Sequence, residues 1–177
     1  MALPWSSISK SWDGKRFYEK TELGKKYFDI ANDTLGIDIQ NVIFNGPDEK
    51  LRLTKHTQPA IFIVSTIISE LLIKKGFKPD GVAGHSLGEY SALVAAQGID
   101  FKTGLELVKI RSESMAKAGQ DNPGTMAAII GMDLESVNTL AQEISTNQIV
   151  VAANHNTENQ IVISGNIKAV QNFTDIA

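Results

Sequence analysis

The apolar positions of this chain fall into two textures. Over residues 22–35, Leu23, Tyr27, Phe28, Ile30, Ala31 and Leu35 recur at helical spacing, and Gly36 suits the C-terminal stop. Asn45-Gly46-Pro47-Asp48 reads as a turn. Thr57-Gln58-Pro59 then opens a long helix over 60–75, with Pro59 in its first turn, where the missing N–H costs nothing. Ile61, Phe62, Ile63, Val64, Ile67, Ile68, Leu71, Leu72 and Ile73 make that helix apolar on most sides, so burial is expected, and Gly76 ends it. Val82-Ala83 predicts a short strand that leads directly into a helix over 87–96. Gly98-Ile99-Asp100 breaks the chain before a second helix over 101–117.

After a loop containing Asn122-Pro123-Gly124 the texture changes. Residues 125–132 read as a strand and 133–145 as a helix capped by Asp133. Residues 149–153 and 160–164 read as strands around an Asn154-His155-Asn156-Thr157 turn, and 167–177 as a helix. The order β-α-β-β-α is ferredoxin-like with its last strand missing. A boundary near Asn122 follows, giving segments 1–121 and 122–177. Residues 1–15, with Trp5 and Trp12, show no clear period.

Composition narrows the function classes. A formal charge of −3 with no strongly basic stretch argues against nucleic acid as a partner. No apolar run approaches the length of a membrane span, so no membrane role is expected. Cys is absent, which excludes disulfides, a cysteine nucleophile and thiolate metal sites, and fits a cytoplasmic protein. The three histidines, His56, His85 and His155, lack metal-ligand spacing, so no catalytic metal is expected.

The candidate chemistry sits at Gly84-His85-Ser86-Leu87-Gly88, a G-x-S-x-G run between the short strand and a helix. That is the context of a nucleophile elbow, in which a serine at a sharp turn projects beside a helix N-terminus. Gly84 and Gly88, without Cβ atoms, would let strand and helix approach closely. A plainer account of Ser86-x-x-Glu89 is a capping box, with Ser86 as N-cap and Glu89 reaching back. The motif alone does not separate hydrolases from acyltransferases.

Further stretches carry a resemblance: Tyr27-Phe28-Asp29-Ile30-Ala31, Thr57-Gln58-Pro59-Ala60, Gly84 to Ala92 around Ser86, Arg111, Gly124-Thr125-Met126-Ala127-Ala128-Ile129, and Asn154-His155-Asn156 with Gln160-Ile161-Val162-Ile163-Ser164-Gly165. In this order they resemble the malonyl-CoA:acyl-carrier-protein transacylases of fatty acid synthesis, from about residue 15 to the end. The resemblance implies an α/β fold, a hydrolase-like large domain with a ferredoxin-like α+β subdomain inserted in it, each present here in part. It implies transfer of a malonyl group from malonyl-CoA to the phosphopantetheine thiol of acyl carrier protein through a malonyl-serine ester. Coenzyme A enters as the thioester substrate, and no cofactor is implied.

By position, Ser86 is implied as the nucleophile and the Leu87 N–H as an oxyanion donor. Arg111, flanked by Val108 and Ile110, would bind the free malonyl carboxylate through its planar fork. Gln58 and Met115 would line the same site, His85 would sit at its rim, and Asn154 and Asn156 would contact the pantetheine arm or the rim. Plainer accounts are a solvated helix-face arginine, a core methionine and turn-forming asparagines. His56 and His155 have no functional case. The family's first strand and Gly-Gln-Gly-Ser-Gln loop have no counterpart in Met1 to Trp12, and no histidine here matches the family's general base. The expectation is therefore that this chain alone transfers malonyl groups poorly. Alternatives are a serine hydrolase, a non-catalytic remnant or half of a divided acyltransferase, and the acyltransferase portion of a polyketide synthase.

Overall fold

The computed structural model describes residues 14–146 and 148–177. The expectations for Met1 to Trp12, including the missing glutamine loop and the two tryptophans, lie outside the described residues. The chain divides into two compact units, Met1–Lys117 and Ala118–Ala177.

Among the described residues of the first unit, all regular secondary structure is helical. It runs α1 (Lys15–Lys20), α2 (Glu22–Leu35), α3 (Ile39–Asn45), α4 (Asp48–Leu51), α5 (Thr54–Lys74), α6 (Gly88–Ala95) and α7 (Phe101–Asp121), the last of which ends just inside the second unit. Helix α2 has the caps its sequence calls for. Thr21 accepts from the Gly24 N–H at 2.9 Å, and Gly36 closes the helix at φ 69°. The short α1, α3 and α4 carry too few turns for a period to show in sequence.

The core of this unit joins α2, α3, α5 and α7 around Phe28, Ile39, Phe62, Ile63, Ile67, Leu105 and Val108. Aromatic rings bind it further: Tyr27 stacks on Phe101 with centroids 3.9 Å apart, and Phe62 lies 5.6 Å from the same ring. Gly104 lets α7 sit against α5, because a Cβ there would lie 2.7 Å from the Phe62 ring.

Four expectations for α5 and its surroundings need correction. The helix begins at Thr54 rather than 60, so Pro59 lies inside it. The Leu53 carbonyl accepts from the N–H groups of His56 (2.7 Å) and Thr57 (2.9 Å), which starts the helix ahead of the proline. Burial is confined to its first two-thirds; Ile68 and Leu72 are exposed. At 21 residues and mean hydropathy 1.3 the helix is long and apolar enough to cross a membrane by length and composition, contrary to the sequence expectation. Phe62, Ile63 and Ile67, however, are fully buried among core side chains of the same unit, as in an ordinary core helix. Finally, Val82 and Ala83 form no strand. A strand exists only when paired, and among the described residues of this unit no other strand is available to it.

The second unit is a three-stranded antiparallel sheet with two helices: β1 (Gly124–Ile130), α8 (Leu134–Ile144), β2 (Val150–Thr157), β3 (Gln160–Asn166) and α9 (Ile167–Ile176), with sheet order β1-β3-β2. Asp133 caps α8 by accepting from the Ser136 N–H at 2.7 Å. Val137, Ile161, Ile163, Val170 and Phe173 form its core. Here too one expectation fails. Asn154 to Thr157 belong to β2, paired with β3 through a bulge, and the turn is Glu158-Asn159. The strand extends because Asn154 pairs with Val162 and His155 with Ile161.

Candidate active site

Ser86 stands where the unpaired segment after α5 turns into α6. Its φ of 55° is left-handed, a conformation that costs a non-glycine residue on the order of 1 kcal/mol or more and needs surrounding structure to hold it. Two features hold it. The next side chain, Leu87, is buried in the core of the first unit. Gly84 passes so close to α6 that a Cβ would lie 2.1 Å from the Gly88 carbonyl carbon. The expectation of close approach thus holds at Gly84 and fails at Gly88, where an added Cβ meets nothing within 4 Å.

The capping-box account is also overturned. Helix α6 starts at Gly88 with Leu87 in the cap position, and no side chain caps it. The Ser86 carbonyl accepts from the Glu89 N–H at 3.2 Å, while the Ser86 hydroxyl faces another helix. The Leu87 N–H has no acceptor among the described residues, so an oxygen placed at this helix start would find a donor.

The partner of Ser86 is Arg111. On α7 the buried row Gly104–Val108 continues through Arg111 and Met115 at steps of three and four residues, which turns both toward α5. The Arg111 guanidinium spans the site: Nη2 donates to Ser86 Oγ at 2.8 Å and Nη1 donates to Gln58 Oε1. Gln58 is buried (1% exposed), and its Nε2 donates to Thr54 Oγ1 at 2.7 Å and to Met115 Sδ at 3.3 Å. Four of the expected site residues therefore meet through one hydrogen-bonded chain. Thr54 joins them without having been expected. Its signal, four residues before Gln58, was hidden because Pro59 suggested a later helix start.

The electrostatics of this corner are unusual. Half-buried Arg111 has no acidic partner among the described residues; the ion pairs there are Lys25–Glu22 and Lys74–Glu70. Both acceptors on its fork are neutral. A guanidinium so placed offers a ready site for a carboxylate, which accepts more strongly than an amide or hydroxyl.

The remaining candidates are placed as follows. His85 is exposed, directly before Ser86. Asn154 is half-buried and Asn156 exposed in β2 of the second unit, where Asn156 Nδ2 donates to Gln160 Oε1 at 3.0 Å. His56 is buried with Nδ1 2.8 Å from the Lys50 carbonyl oxygen, a structural bond at the start of α5. Among the described residues no group of three His, Cys, Asp or Glu side chains could hold a metal.

Residues 28–176 match the family described as acyl transferase domain. Among curated proteins, the malonyl CoA-acyl carrier protein transacylase of Bacillus subtilis is 41% identical over 165 residues, 93% of this chain and 52% of that protein. Among solved structures, MCAT from Streptococcus pneumoniae superposes with a TM-score of 0.84 at 39% identity, covering 92% of this chain and 53% of its own. A malonyl-transacylase solved in complex with its type II PKS acyl-carrier protein superposes at 0.83 with 40% identity, covering 90% and 52%. The chain spans about half the length of the relatives it matches. The described architecture, helix-rich with one small sheet, is thus part of an α/β acyltransferase fold, and the chain belongs to the acyl transferase domain family.

Proposed function

We propose that this chain carries the nucleophile and the carboxylate-binding fork of a malonyl transfer from malonyl-CoA to the phosphopantetheine thiol of acyl carrier protein, in fatty acid biosynthesis. One observation carries the reading: Arg111 holds Ser86 Oγ on one arm and a neutral amide on the other, with no acid beside it among the described residues. In a malonyl ester of Ser86 the free carboxylate is separated from Oγ by only the acyl carbonyl and one methylene. A fork already 2.8 Å from Oγ is within reach of it.

In the first half-reaction Ser86 Oγ adds to the thioester carbonyl carbon and loses its proton to a base. The Leu87 N–H supports the oxyanion, the C–S bond breaks, and coenzyme A leaves as the thiol after taking a proton. In the second, the carrier's thiol attacks the ester and Ser86 regains its proton. Arginine has no acceptor and cannot be that base, so Ser86 is an incomplete nucleophile with these neighbours, and slow turnover by this chain alone is expected. Met115 would wall the acyl pocket, and His85 would serve its rim. The carrier partner finds support in the similar transacylase solved with an acyl-carrier protein. On this reading 1–121 is part of the hydrolase-like catalytic domain and 122–177 the start of a ferredoxin-like subdomain. The reaction needs no cofactor, nucleic acid or membrane and suits the cytoplasm.

The test is incubation with malonyl-CoA and with acetyl-CoA, followed by calorimetry and by mass spectrometry of the labelled peptide. A malonyl ester forming slowly on Ser86, absent in Ser86→Ala, is the expected outcome. Arg111→Ala should lower the malonyl-over-acetyl preference about 10- to 100-fold, the worth of a charge-assisted bond or two. An unchanged preference would remove Arg111 from the mechanism and leave a serine hydrolase, with water replacing the carrier thiol, as the better reading.

A further inference from the structure

We propose that Thr54 is a positioning residue, whose hydroxyl holds the Gln58 amide in the one orientation that aims the Arg111 fork at Ser86. The inference rests on the reading of Arg111 as a carboxylate clamp. It adds a residue that acts on the clamp from two positions away in the chain of hydrogen bonds.

The argument starts from what an amide can do when buried. A carboxamide has an acceptor end and a donor end of nearly equal shape, so packing alone hardly distinguishes its two orientations. Gln58 is 1% exposed, and water does not serve whichever end is left over. Arg111 is a donor at every nitrogen, so the end facing it must be Oε1. That choice sends the NH2 group the other way, where its two hydrogens need acceptors. The structure supplies Thr54 Oγ1 at 2.7 Å and Met115 Sδ at 3.3 Å. A thioether sulfur is a weak acceptor, so the Thr54 hydroxyl is the group that makes the orientation decisive. Thr54 is the first residue of α5, and the four-residue step to Gln58 places both side chains on one face of that helix. Through Oε1 the lock then passes to Nη1 of Arg111, and the rigid fork places Nη2 on Ser86.

The experiment uses the chain as it stands, with Thr54→Val, which keeps the shape and removes the oxygen, and Thr54→Ser, which keeps the oxygen. Two quantities are read: the ratio of malonyl-CoA to acetyl-CoA affinity by calorimetry, and the side-chain NH2 signals of Gln58 by NMR. With Thr54→Val, the ratio should fall about 3- to 10-fold, with acetyl-CoA affinity within about twofold. The Gln58 NH2 signals should shift toward those of an unbonded amide, and Thr54→Ser should restore both. If Thr54 only starts the helix, Thr54→Val lowers the melting temperature and moves neither quantity, which overturns the proposal. The clamp reading fails separately, when Arg111→Ala leaves the ratio unchanged. In that case the NMR signals still decide the lock: displaced in Thr54→Val and restored in Thr54→Ser they support it, and unmoved they overturn it.

Discussion

In the second unit the caps and turn-side bonds join near neighbours in sequence. Asp133 reaches Ser136, Ser145 reaches Val150, and the Ile149 N–H reaches Asn166, 17 positions away. In the first unit the bonds that build the site span far more: 25 from Arg111 to Ser86, 53 from Arg111 to Gln58 and 57 from Gln58 to Met115. Tyr27 to Glu70, outside the site, spans 43. The small sheet unit combines local caps and the β2–β3 hairpin with one distant pairing, β1 on β3, which is made by backbone. The helical unit makes its chemistry only after distant helices have packed, so its site depends on its core.

The strongest challenge to that contrast is Phe62→Ala. Phe62 is fully buried between α5 and α7, the helices that carry Gln58 and Arg111. Its loss should cost about 3–5 kcal/mol in denaturant unfolding of the chain, and malonyl-over-acetyl preference should fall with it. A cost below about 1 kcal/mol, or an unchanged preference, would show that the site does not depend on this packing.

The two glycines of the elbow give a smaller and sharper comparison. Gly84→Ala should destabilise by about 2 kcal/mol, because its Cβ meets backbone that cannot move aside. Gly88→Ala should be neutral or gain about 0.5 kcal/mol, since space is open and alanine favours the helix. Equal costs at both positions, measured by thermal unfolding, would mean that the turn is held by something other than the approach at Gly84.

The smallest expected effect is Tyr27→Phe, about 1 kcal/mol after allowing for the partial exposure of Glu70. Burial, and then the bond to Glu70, raise the Tyr27 hydroxyl well above its ordinary value. On Glu70, burial pushes upward but is outweighed by the bonds from Tyr27 and Lys74 and by the charges of Lys74 and Lys26, so its carboxyl lies below 4.5. A carboxylate lowered on folding stabilises above its unfolded value and loses that contribution as the pH falls through the folded one. The gap between wild type and Tyr27→Phe should therefore be full above pH 4.5 and close below it. Asp133 is the local counterpart, lowered by the Ser136 N–H and hydroxyl; its titration should be untouched by Tyr27→Phe. A shift at Asp133 in NMR would contradict the division into local and distant contacts.

Much of this was legible beforehand where the determinants are short-range. Helix α2 with its Gly36 stop, α8 with its Asp133 cap, and the strands β1 and β3 follow from capping and from short apolar runs within a few residues. The elbow motif singled out Ser86, and the order of motifs singled out Arg111 and Gln58. What stayed hidden has a physical cause in each case. Val82-Ala83 has strand-like residues but no partner among the described residues. Pro59 marked a helix start that the preceding Leu53 turn had already made. Thr54 has no feature of its own until Gln58 is buried with its amide orientation settled.

The helical stripes, the caps, the turn-prone glycines and the presence of a serine at an elbow were already set by the linear chain. These depend on bond geometry and on neighbours within one or two turns, which a linear reading contains. Tertiary structure alone decided that the Ser86 hydroxyl would face Arg111 instead of capping α6, and that Gly84 rather than Gly88 carries the close approach. It also decided that a neutral glutamine, bonded to Thr54, stands beside the arginine in place of an acidic partner. The Arg111 contacts join groups 25 and 53 positions apart, and the shorter-range outcomes at Gly84 and Thr54 follow from how the helices pack around them and which groups lose water.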